Sequence, residues 1–99
     1  MIGDFTQHIG VLRVQLHFPD AQSLKDKRMV LKSLKERLKN KFNATVAEIG
    51  ALDKWQLSVI AAVMVGNDNR LIDSALQKIL AFIEESPGLM ISDHEIEFL

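Results

Sequence analysis

The chain has 99 residues, 47% of them hydrophobic and 25% charged, with a net charge of −1, the balance of one globular domain with a single core. It contains no cysteine, which excludes disulfides and any thiolate nucleophile or metal ligand. No apolar run approaches the roughly 20 residues that cross a bilayer, and the opening MIGDFTQHIG lacks the basic and apolar regions of a secretion signal. The expected location is therefore the cytoplasm, with no membrane partner.

Residues 9–18 alternate, with Leu12, Val14, Leu16 and Phe18 on one side and Val11, Arg13, Gln15 and His17 on the other. That is a strand with one buried face. Pro19-Asp20 breaks it, and Ser23 is placed to cap a helix by accepting from the amide of Asp26. In the helix that follows, Leu24, Val30, Leu31, Leu34, Leu38 and Phe42 fall on one arc, with Lys27 and Lys41 at its margins. Residues 44–49 read as a short second strand and Gly50-Ala51-Leu52-Asp53 as a hairpin loop. Residues 55–65 form the most apolar strand, central because both of its faces are apolar. Val59 and Ala61 are expected in the core, and Ser58, Ile60, Ala62 and Met64 on the open face.

Gly66-Asn67-Asp68 opens a second helix over residues 69–85, burying Leu71, Ile72, Ala75, Leu76, Ile79, Phe82 and Ile83. Ser86-Pro87-Gly88 stops it, and residues 89–99 form a last strand, acidic at Asp93, Glu95 and Glu97. The order β-α-β-β-α-β predicts an α+β, ferredoxin-like fold. Two right-handed crossovers place both helices on one face of an antiparallel sheet of order 4-1-3-2. The whole of 1–99 is read as one such domain, with residues 1–8 a flexible N-terminal extension.

Charge singles out the first helix. Residues 23–42 carry eight Lys or Arg against Asp26 and Glu36, while residues 66–99 hold seven acids against Arg70 and Lys78. Lys25, Arg28, Lys32, Lys35 and Lys39 form a stripe beside the apolar arc, about 21 Å long at 1.5 Å per residue. Each neighbouring pair along it destabilises an isolated helix by roughly 0.2–0.5 kcal/mol. Three readings follow. The stripe is a solvated flank over the core margin, a footprint for RNA or another polyanion, or a surface for an acidic protein, including the last strand of a second copy. The helix start offers a separate choice between an ordinary N-cap and a phosphate site aided by Lys27 and Arg28.

No catalytic constellation is visible, and the chain is expected to be non-enzymatic, without cofactor or metal. His8, His17 and His94 show no ligand spacing. No GxSxG, GxGxxG or P-loop is present. Phe18-Pro19-Asp20-Ala21-Gln22 lacks the glycines of an acylphosphatase anion loop. The expected open-face positions of the central strands lack aromatics, which argues against the base-stacking mode of RNA-recognition motifs. A cluster of Val11, Ile60, Ala62 and Met64 on that face predicts a homodimer through the open sheet face or its edge.

The segments GVLRVQLHFPDAQ, SLKDKR, FNATVAEIG, DKWQ and GND together resemble domain-of-unknown-function family 503, the YlxP-like bacterial proteins, nearly end to end. The resemblance implies a small ferredoxin-like protein of unestablished activity, with the residues before His8 an addition to the usual start. Genes of the family commonly neighbour those for transcription elongation, translation initiation and ribosome maturation, which adds weight to RNA or a ribosomal particle as partner. The alternative is a homo-oligomeric interaction module with no nucleic-acid role.

Overall fold

The computed structural model describes residues 1–99 throughout. The elements are β1 (His8–His17), α1 (Leu24–Lys41), β2 (Thr45–Gly50), β3 (Leu57–Gly66), α2 (Asn69–Glu84) and β4 (Met90–Phe98). The sheet is antiparallel in the order β2-β3-β1-β4, the split βαβ arrangement that the element order predicts. Residues 1–7 lie outside every element and are exposed, and His8 already pairs with Gly66.

Both helices begin on side-chain caps. Ser23 accepts from the amide of Asp26 at 3.0 Å, and the Asp26 carboxylate accepts in return from the amide of Gln22 at 3.0 Å. Asp68 accepts from the amide of Arg70 at 2.8 Å. These bonds satisfy amides that a helix start leaves without partners.

The core is one cluster between the helices and a single face of the sheet. It joins Leu12, Val14 and Leu16 of β1 with Leu31, Leu34 and Leu38 of α1 and Ile72, Leu76, Ile79 and Ile83 of α2. Gly10 lets α2 approach β1, since a Cβ there would lie 2.5 Å from Ile72 Cγ2. Leu71, expected inside, is exposed, and Leu80 is buried in its stead.

The faces of β3 are the reverse of the sequence expectation. Leu12 pairs with Ala62, Val14 with Ile60 and Leu16 with Ser58, and directly opposed residues share a face. Ser58, Ile60 and Ala62 are therefore buried under the helices, and Met64 packs against the core. Val59, Ala61 and Val63 are only partly covered and belong to the open face. Ile60, Ala62 and Met64 thus cannot form an exposed patch with Val11, which is itself buried between its register partners Val63 and Glu97. β3 also starts two residues later than expected, leaving Trp55 and Gln56 in the hairpin loop.

Candidate nucleic-acid interface

The eight cations of α1 divide cleanly into three that are engaged and five that are not. Lys27 is fully buried, and its Nζ donates to Glu48 Oε2 at 3.0 Å and to the carbonyls of Ala51, Leu57 and Leu52 at 2.9, 3.2 and 3.4 Å. Arg37 donates to Ser86 Oγ at 3.4 Å and lies 5.5 Å from the centre of the Phe82 ring. Lys41 sits over the Phe82 and Phe42 rings at 5.1 and 5.8 Å, within cation–π range.

The other five are Lys25, Arg28, Lys32, Lys35 and Lys39. All are exposed except the half-buried Lys35, and none takes part in an ion pair or a side-chain hydrogen bond; the ion pairs of the protein belong to Arg13, Lys27 and Arg70. Lys32, Lys35 and Lys39 line a groove of about 350 Å³ with Glu36, Ala44, Thr45 and Val46, and Glu36 pairs with none of the three lysines. The C-terminal three residues of the stripe therefore lie beside β2, an outer strand whose far side has no partner in the sheet. The acids of β4 lie at the opposite edge, where Glu97 and Glu95 hold Arg13 at 3.0 and 3.4 Å. The Glu97 hydrogen bond raises the pKa of the Arg13 guanidinium, against a smaller opposing effect of desolvation.

A phosphate site at the start of α1 finds no support. The Asp26 carboxylate already occupies the first turn, where it would repel an anion, and the Lys27 ammonium is turned inward.

Sequence reasoning missed two features at this end of the molecule. One is the buried Lys27–Glu48 pair, to which Ser58 Oγ adds a 2.6 Å hydrogen bond on Glu48 Oε2. Its signal was a lysine at the margin of an apolar arc. The other is Trp55, 55% exposed, two residues before β3 in a loop held from several sides. The Gln56 carbonyl accepts from the amide of Phe18 and from His17 Nδ1, both at 2.9 Å, and Gln56 Nε2 donates to the carbonyls of Ala21 and Pro19 at 3.0 and 3.3 Å.

No helix is long and apolar enough to cross a membrane. Among solved structures, the chain is similar in outline to the de novo designed protein Foldit4, with 17% identity, TM-score 0.49, and 94% of this chain and 93% of that one covered. It is similar also to the SecDF periplasmic domain P4, with 11% identity, TM-score 0.47, and 98% and 99% covered. In sequence it is 39% identical over 81 residues to the uncharacterized protein YlxP of Bacillus subtilis (strain 168), covering 82% of this chain and 88% of that one. The profile described as "Protein of unknown function (DUF503)" matches residues 9–96. The chain thus belongs to the DUF503 family.

Proposed function

We propose that this chain is a non-enzymatic cytoplasmic accessory protein that binds RNA, free or within ribosomal particles, through the flank of α1. The observation that carries this reading is the division of the α1 cations. Every cation off the stripe is engaged within the protein, and every cation on it is free. Five like charges in a row, with only Asp26 and Glu36 near them and no ion pair formed to either, suit an anionic partner with regularly spaced charge, and a phosphate backbone has that form. The bonding would be electrostatic and indifferent to base sequence along the stripe.

The test is RNA binding across a salt series. The log of the affinity should fall with log salt by about 0.7 for each single-strand phosphate neutralised. Three or more contacts correspond to roughly a tenfold loss or more between about 50 and 200 mM salt. Arg28 should contribute most, because a guanidinium can grip phosphate with two parallel bonds. Lys32→Glu with Lys35→Glu should abolish binding and leave the fold intact. Parental binding by that double variant, once shown to be folded, would rule the reading out.

A second reading, a homodimeric interaction module, is favoured by one observation. Val59, Ala61 and Val63 line the sheet face away from the helices and are only partly covered.

A further inference from the structure

We infer that the loop carrying Trp55 is a base-stacking platform, and that the RNA bound along α1 is single-stranded where it passes this loop. The inference rests on the reading of the α1 stripe as a phosphate track and specifies what lies at its end. Trp55 is the only tryptophan of the chain and is more than half exposed, whereas tryptophan is highly buried on average. It lines a shallow hollow of about 440 Å³ with His17, Lys54, Gln56 and Leu57. The hollow therefore offers two flat rings and a cation on one rim. Aromatic faces beside a positively charged track are how proteins hold single strands without reading sequence.

Two observations join the hollow to the start of α1, and a third steadies the loop between them. Lys27 lies in the first turns of α1 between Lys25 and Arg28, and its ammonium grips the carbonyls of Ala51, Leu52 and Leu57, on either side of Trp55 in the chain. The loop is thereby fixed against the end of α1 at which the stripe begins. Its turn is set locally as well, since the Ala51 carbonyl accepts from the Lys54 amide at 3.0 Å while Ala51 itself stands at φ +58°. Finally, Gln56 binds the loop to the β1–α1 connection through both its carbonyl and its side chain. A ring presented on a backbone held this firmly loses little freedom when a base covers it.

His17 adds polarity. Because its Nδ1 faces a carbonyl oxygen, Nδ1 carries the proton and donates it to Gln56, which leaves Nε2 free to bond the edge of a base. His17 and Leu57 pair across β1 and β3 on the open face. A strand leaving Lys25 would thus turn round the loop onto the rim of that face.

The sole tryptophan makes the test direct. The intact chain is titrated, with its intrinsic fluorescence followed, against a short unstructured RNA strand, a blunt RNA duplex and inorganic polyphosphate. The expected result is quenching by the single strand alone, with polyphosphate bound but silent. Trp55→Ala, verified as folded by its unfolding temperature, should lose roughly five- to hundredfold in affinity for the single strand. It should bind polyphosphate as the parent does, and Trp55→Phe should recover most of the loss. If polyphosphate binds but Trp55→Ala holds the single strand as tightly as the parent, or if the duplex binds and quenches equally, the platform is refuted while the phosphate track stands. If none of the three ligands binds at low salt, both readings fall together.

Discussion

At the scale of single residues, Lys27 is the side chain on which the local structure turns. A buried ammonium is tolerable only when its charge and donors are matched, and here one carboxylate and three carbonyls surround it. Replacing it removes a donor from each of those carbonyls, of which Ala51 keeps the Lys54 amide, and leaves Glu48, 16% exposed, with only the Ser58 hydroxyl. Lys27→Met should therefore lose about 3–5 kcal/mol, the range for breaking a buried ion pair from one side. Lys27→Met combined with Glu48→Gln should lose less than the two single changes summed, because the second no longer leaves a lone charge. Urea unfolding of the four proteins checks this, and strict additivity would show that the pair is not coupled. The sequence placed Lys27 at the edge of the apolar arc, but a helical wheel cannot show what a lysine meets when it turns inward. The five stripe residues were legible for the opposite reason, because positions facing away from the core need no knowledge of tertiary partners.

At the scale of elements, legibility depended on how unequal the two faces were. β1 carries Arg13, Gln15 and His17 on one side and leucines and valines on the other, so its buried face followed from alternation alone. α1 and α2 were readable as elements from their apolar arcs and caps, although the α2 arc took in Leu71 where the structure buries Leu80. β3 has Val59, Ala61 and Val63 on one face and Ile60, Ala62 and Met64 on the other, and a period of two does not choose between them. The one polar cue, Ser58, pointed the wrong way, since its hydroxyl is buried on Glu48. The observed register makes a sharp distinction testable. Ile60→Ala should destabilise by about 2–5 kcal/mol, as should Leu34→Ala on α1. Val59→Ala, on the half-open face, should change stability by less than about 1 kcal/mol, since it removes little buried volume. Equal losses at positions 59 and 60 would contradict the register. Gly10→Ala tests the approach of α2 to β1, and its overpacking should cost about 1–3 kcal/mol.

At the scale of the whole molecule, charge is sorted by edge, and that sorting constrains how two copies could meet. Pairing β2 with its own symmetry mate would bring two lysine stripes side by side, and pairing β4 with its mate would oppose Asp93, Glu95 and Glu97. Like charges directly opposed are destabilising in either arrangement. On the open face Val59, Ala61 and Val63 are flanked by Thr45 and Ala47 of β2 and by Gln15, Arg13 and Val11 of β1, and the one charge among these, Arg13, is already met by Glu95 and Glu97. A two-fold symmetric homodimer, the second functional reading, would therefore form through that face and not by pairing like edges, and would leave the α1 stripe uncovered on the other side of the sheet; a β2 edge meeting a β4 edge is complementary in charge but joins copies head to tail. Sedimentation at micromolar concentration distinguishes the cases. A dimer through the face should dissociate in Ala61→Glu, which sets a carboxylate at the middle of the apolar row. It should be indifferent to Lys32→Glu with Lys35→Glu, whose side chains belong to the helix layer on the other side of the sheet. A parent that sediments only as the 11.2 kDa chain, unchanged in Ala61→Glu, would remove the interaction-module reading. A dimer lost in the lysine variant but kept in Ala61→Glu would move the contact to the edge.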